Sequence, residues 1–189
     1  VISYLVEIYR GKIPSASISD FLLYVTFFPT VLAGPIERFE KFQPQRIANV
    51  KPVSEDIYVG LTRITQGLFK KLVLSATFYQ MITPYYSAVS PTGQVTLTTA
   101  QLWMIQNMYM LYLYMDFSGY SDIAIGTSRL FGYRIMENFN YPIFRPNIAA
   151  FWANWHISLT AWLRDYIYFA LGGNKKGLGR SVIYSFITM

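Results

Sequence analysis

The sequence predicts an all-α, polytopic membrane protein: a single membrane domain over residues 1–189, with two full spans plus two re-entrant helical segments lining a cavity. Three observations lead there. Apolar residues make up 53% of the chain, aromatics 18% and charged residues only 14%, about half the charge of a soluble domain. No charged residue occurs between Lys71 and Asp116. Two shorter charge-free stretches, 21–36 and 146–163, have basic residues beyond both ends.

This composition excludes a disordered tail or a nucleic-acid-binding arm, both of which need dense charge and few aromatics. The net charge of +6 is read as cytoplasmic Lys and Arg, and no nucleic-acid partner is expected. With no Cys and one His, disulfides, Cys-ligated zinc, iron–sulfur clusters and a metal site on paired histidines are excluded. The chain opens at Val1 without a signal segment and ends at Met189 inside an apolar run, so both ends are expected to be truncated from a longer protein.

Taken in order, Phe21–Ile36 is interrupted by Pro29, Gly34 and Pro35 and is too short for a comfortable span. A helix is then expected from about Glu55 to Tyr85, with Ser54 as its N-cap. Its outer half, Leu68–Tyr86, is long enough to cross, and Gly60, Ile64 and Gly67 form a small-residue stripe that admits a close neighbour. The stretch Pro84–Thr99 reads as a loop, and its lack of Lys and Arg places it outside. Leu97–Asp116, rich in Met and Tyr, is the second span. Pro146–Leu163 holds three Trp, with Asn147 or Arg145 available as cap.

Arg10, Lys12 and Arg38 flank the first short stretch, and Arg145 and Lys175 the second, so each is expected to enter and leave on the cytoplasmic side. Broken backbone survives at membrane depth only where protein or a water-filled cavity satisfies it. Two dips lining one cytoplasm-facing cavity follow from this.

The candidate chemistry centres on His156. On one continuous helix, Trp152, His156, Leu159 and Leu163 share a face, while Trp155 and Trp162 stack seven apart on an adjoining strip. An ionisable group at membrane depth is a functional candidate, and neutral imidazole can accept a proton from a hydroxyl without a resting buried charge. The alternative is a packed ring bonded to a backbone carbonyl. Arg164 and Asp165 either support the site or anchor the helix at the interface with Tyr166 and Tyr168; as neighbours on a helix they need not pair with each other.

Asp122 and Arg129, seven apart across Gly126, are expected to form a structural pair, because an unpaired carboxylate near lipid is costly. Leu171–Gly177 reads as a helix stop carrying cytoplasmic charge, lacking the full phosphate-loop spacing. Ala33–Ile36 reads as a helix break and not as a site. No metal site is expected.

Three motifs carry a family resemblance: FFPTVLAGPIERFEKFQPQ, LYMDFSGYSDIAIGTSRLFGYRIMENFNYPI and FWANWHISLTAWLRDYIYFALGGNKKG. They closely resemble the bacterial membrane-bound O-acyltransferase (MBOAT) family, in its alginate O-acetyltransferase-like branch. The D-alanyl transfer proteins of teichoic acid modification are a more distant likeness.

The resemblance implies a multi-pass acyltransferase of the bacterial plasma (inner) membrane. A cytoplasmic donor, acetyl-CoA or an acyl carrier, would meet a hydroxyl of an extracytoplasmic polysaccharide or of a periplasmic acyltransferase partner. Membrane lipid surrounds it, and no cofactor is tightly bound. It also implies that His156 is one of two polar signature residues. The second, a histidine taken as the main catalytic residue, would lie beyond Met189, leaving this stretch inactive by itself. A transporter or channel fragment with re-entrant binding helices, and a scaffold without chemistry, are the competing readings.

Overall fold

The computed structural model describes residues 1–86 and 97–188, and among these every regular element is helical. Most of the loop expected to face outside lies beyond the described residues. In chain order the helices are α1 (Ile2–Tyr9), α2 (Ile18–Val25), α3 (Phe39–Ile47), α4 (Ser54–Phe69), α5 (Ala76–Tyr86) and α6 (Thr99–Leu130). They continue with α7 (Ile148–Asn154), α8 (Ile157–Leu163), α9 (Phe169–Leu171) and α10 (Leu178–Thr188). A π-helical turn, Lys70–Ser75, joins α4 to α5, and a second, Arg164–Tyr168, follows α8.

The run α4–α5 and the 32-residue α6 form an antiparallel pair of long rods. The predicted small-residue stripe is the reason they meet. A Cβ on Gly67 would lie 2.5 Å from the Gly119 carbonyl oxygen, and one on Gly126 would lie 2.6 Å from that of Gly60. Glycine is therefore required on both rods, two pairs spaced seven residues apart. Ser54 proves to be the first helical residue, not the cap. The Asp56 carboxylate instead accepts the Val53 N–H at 3.3 Å. Thr98 and Gln101 form a reciprocal capping box at the start of α6, with bonds of 2.8 and 3.3 Å.

Charges along the rods are paired across the seam. Lys71 reaches Asp116 at 2.5 Å, and Lys70 reaches Asp122 at 2.6 Å. The π turn widens the first rod where both lysines leave it. At about 1.5 Å per residue α6 is roughly 48 Å long. Its Asp and Arg residues dilute its hydropathy, however, and among the described residues no helix is both long and apolar enough to cross a membrane.

The remaining helices are short. α1, α2 and α3 close over Tyr4, Ile13 and Phe39, and an aromatic ladder extends this core. Phe27 meets Phe42 at 5.1 Å, and Phe42 stacks on Tyr133 at 4.9 Å. The expected interruption of 21–36 is present: α2 stops at Val25 and turns lead through Pro29 to Pro35.

The segment 146–163 departs from the expected single helix. Asn147 caps α7, accepting the Ala150 N–H at 2.8 Å, but the helix ends at Asn154 and α8 begins anew after His156.

Candidate active site

The break at residues 155–156 builds the site. His156 has φ 43° and ψ 53°, a left-handed conformation that costs a side-chain-bearing residue about 1–2 kcal/mol. Asn138, fully buried, holds it there. Its carbonyl accepts the Ile157 N–H at 2.9 Å, and its side-chain oxygen accepts the Ser158 hydroxyl at 2.8 Å. Its amide nitrogen donates to Ser121 Oγ on α6 at 3.2 Å. Strain kept in place by such a rivet is a recurrent mark of functional positions.

Half-buried, the imidazole lies in an aromatic setting. Its ring meets Phe117 edge-on at 4.7 Å and lies nearly parallel to Phe139 at 6.4 Å. Among the described residues its nitrogens make no hydrogen bond, so the alternative of a ring fixed to a backbone carbonyl does not hold.

Two cavities share this residue. One, of about 460 Å³, is lined by the turn from Thr30 to Glu37, with Phe27, Phe42 and Phe117. The other, of about 330 Å³, is lined by Trp152, Trp155, Leu159, Leu163, Arg164 and Tyr168, with Ser185 and Thr188 of α10. His156 lines both. The expectation of one cavity under both dips is thus corrected: each segment lines its own, and the histidine is common. Residues 152, 156, 159 and 163, expected to share one helix face, line one cavity although the helix that was to align them is broken. The Ala33–Ile36 turn, read as a mere break, forms a wall of the first cavity.

Two further expectations are revised, and one point left open by the sequence is decided. Trp155 does not stack on Trp162; it packs against Phe139 at 5.2 Å, while Trp162 packs on Tyr166 at 5.4 Å, away from the cavity lining. Asp122 and Arg129 do not pair with each other. Arg129 donates to Asp56 at 2.8 Å, and Asp122 takes Lys70 and Arg63 at 2.6 and 3.1 Å. The reason is that oppositely charged groups on the facing rod, Asp56 for Arg129 and Arg63 with Lys70 for Asp122, compete better than an in-line pair on α6. Arg164 and Asp165 do pair, at 3.0 Å, because the π turn alters the side-chain directions of an ordinary helix.

Asp165 also ties the two broken segments together. Arg38, directly after the first-cavity turn, donates to it at 2.5 Å and to the Ala161 carbonyl at 3.3 Å. The Tyr166 hydroxyl donates to Glu7 at 2.7 Å. Burial raises the Asp165 carboxyl, but the bonds from Arg164 and Arg38 outweigh it and leave the group below the usual carboxylate range. Burial, then the bond to Glu7, pushes the Tyr166 phenol well up, so it stays a neutral donor. Sequence reasoning missed Asn138, Phe139, Arg38 and Glu7. The first two lie inside the motif 113–143, but no spacing links them to a residue almost twenty positions on.

The described residues thus form a helical protein with a left-handed histidine between two largely apolar cavities. Over residues 6–189 the chain matches the model of MBOAT, the membrane-bound O-acyltransferase family, and it belongs to that family. Over 189 residues it is 39% identical to the probable alginate O-acetylase AlgI of Pseudomonas putida, covering 100% of this chain and 38% of that protein. It is 37% identical to the peptidoglycan O-acetyltransferase of Helicobacter pylori over 82% of this chain and 29% of the relative. It is 33% identical to the teichoic acid D-alanyltransferase of Bacillus subtilis over 78% of this chain and 36% of the relative. The chain thus spans well under half the length of these relatives.

Proposed function

We propose that the whole protein moves an acyl group, acetyl in the first instance, from a cytoplasmic donor to a hydroxyl of an extracytoplasmic polysaccharide or envelope polymer. The observation that carries this is the sharing of His156 by two cavities, with its ring nitrogens making no hydrogen bond among the described residues. Each cavity takes one reactant. The acceptor hydroxyl oxygen attacks the acyl carbonyl carbon, the donor's thioester C–S bond breaks, and the hydroxyl proton must leave. His156 orients and polarises that hydroxyl, while proton removal falls to the second histidine that the family resemblance implies. Trp152, Trp155, Leu159 and Leu163 keep water from the acyl group, whose hydrolysis would waste a turnover.

The donor is acetyl-CoA or an acyl carrier, and the acceptor is the polymer or a periplasmic acyltransferase partner. The protein works as a multi-pass component of the bacterial plasma membrane, with residues 68–86 and 97–116 as its two spans. Likeness to both acetyl- and D-alanyl-transferring relatives supports polymer acylation as the common theme, and the higher identity to the alginate O-acetylase favours acetyl. D-alanyl transfer is the second reading. A transport role would call for a more polar lining than the aromatic surroundings of His156 supply.

The test is His156→Ala in the full-length protein. Ester content of the envelope polymer is expected to fall at least about 100-fold, the lower range for loss of an acid–base group, with membrane insertion unchanged. Unaltered ester content would remove His156 from the reaction. The chemical nature of the ester, acetyl or D-alanyl, separates the two transfer readings.

A further inference from the structure

Phe117 and Ser121 of the motif Asp116–Asp122 support the His156 site, and Ser118, Ser121 and Asp122 of the same motif line a third cavity of about 340 Å³ between the rods. Arg63, Lys70, Ser118, Asp122 and Glu137 are its charged and hydroxyl walls, with Phe139 and Tyr141 at one side. This volume is within the range of ligand pockets, roughly 300–1,000 Å³.

Its hydrogen-bonding capacity is unbalanced. Ser118 is only 2% exposed, and among the described residues its hydroxyl has no partner; the buried Arg63 Nε has none either. Among the described residues Lys70 Nζ makes one hydrogen bond, to Asp122, out of three donors. Both Asp122 oxygens, in contrast, are engaged: one faces Arg63 at 3.1 Å and the other faces Lys70 at 2.6 Å. A buried hydroxyl and a guanidinium N–H without acceptors cost free energy, so the cavity lacks an acceptor-rich guest.

Glu137 shows where such a guest would sit. Its carboxylate lies on Arg63 Nη2 at 2.5 Å, but its side chain is 54% exposed, against 6% for Asp122. Asp122 is therefore the fixed counter-charge and Glu137 the replaceable one. When Glu137 swings into water the cavity keeps two cations against one anion, with the Ser118 hydroxyl as an added donor.

We propose that this cavity is a second ligand site, taking a compact phosphate-class oxyanion on Arg63, Lys70 and Ser118 in the place that Glu137 occupies. Arg and Lys suit this chemistry, the first as a planar fork and the second as a point charge. The anion is either free or the headgroup of a phospholipid.

The test is calorimetry on the full-length protein in detergent, titrated with inorganic phosphate and, separately, with short-chain phosphatidylglycerol. Saturable binding of inorganic phosphate supports the site and assigns a free ion. Saturable binding of the phospholipid alone supports the site and assigns a headgroup. Glu137→Gln removes the competing carboxylate, and the bound form is expected to tighten about tenfold, while Ser118→Ala weakens it by about the same factor, each roughly one charge-assisted hydrogen bond.

Arg63→Gln should abolish binding, and the other two variants carry the test if that one fails to fold. Binding of neither probe to wild type or to Glu137→Gln overturns the proposal. So does binding that is the same in wild type, Glu137→Gln and Ser118→Ala, which would leave Arg63, Glu137 and Asp122 a structural ion network. Both readouts are independent of acyl transfer, so the result stands apart from the fate of the His156 reading.

Discussion

The paired rods and the broken layer beside them solve opposite problems with the same kind of chain. α4–α5 and α6 are long and continuous, and they are joined by backbone at glycine with charges matched across the seam. Around His156 the helices are seven residues long, interrupted by a left-handed residue, and tied by side chains that reach far along the sequence. The rods put regular hydrogen bonding first and leave little room between backbones at their glycine contacts. The broken layer gives up helical bonds at 155–156, and two cavities open on one histidine there. Continuity serves as the frame, and interruption makes the site.

If the two regions differ in this way, substitutions in each should fail differently. The largest effect is expected from Gly67→Val, where the new Cβ meets the Gly119 carbonyl, a backbone atom that cannot turn aside. Thermal unfolding in detergent should show a loss of about 3 kcal/mol, the top of the usual range for overpacking, or no folded protein at all. A near-wild-type midpoint would mean the rods can part.

Asn138→Ala comes next. It strands the buried Ser158 and Ser121 hydroxyls, at about 2 kcal/mol by the cost of unsatisfied polar groups. Proteolysis should then cut near residue 156 while the rods stay protected, whereas uniform loosening would deny that the layer is held separately.

His156→Gly compared with His156→Ala isolates the strain, since both lack the ring. The glycine variant should be the more stable by about 1 kcal/mol while both are inactive. Equal stability would mean that the left-handed turn stores nothing.

The smallest effect is at the foot of the rods. Hydrogen bonding from Arg129, then from the Val53 amide and with Arg134, holds the Asp56 carboxyl below its usual range. Below the ordinary aspartate value of about 4, the unfolded chain binds more protons than the folded one. The stabilisation is therefore complete above that value and lost as pH falls through the lowered one. The gap in melting midpoint between wild type and Asp56→Asn should be constant near neutrality and close in acid. A gap that persists at the lowest pH would assign the effect to packing, not charge.

Several features were legible before any coordinates. The first rod's helix from about Glu55 to Tyr85 was legible, and so was the second near Leu97, although α6 runs on to Leu130 and does not close at Asp116; the glycine stripe follows from spacing, and the interruption of 21–36 from Pro29 and Gly34. The apolar, aromatic setting of the one imidazole, His156, was legible too. The mates of charged residues were not legible. Asp122 and Arg129 have suitable spacing for each other, yet each finds its partner on the facing rod. Helical periodicity reports which residues share a face but not what stands opposite, and the stronger pairing is chosen there.

By itself, the sequence determined the helical class, the family, the glycine seam and the lone histidine, because these depend on composition and on near-neighbour spacing. Only the tertiary structure decided that the helix breaks at His156, that Asn138 holds the break, and that two cavities meet on that ring. A left-handed residue with no glycine to announce it is stable only through contacts from elsewhere in the chain. Such contacts acquire an energy only once the fold has brought them together.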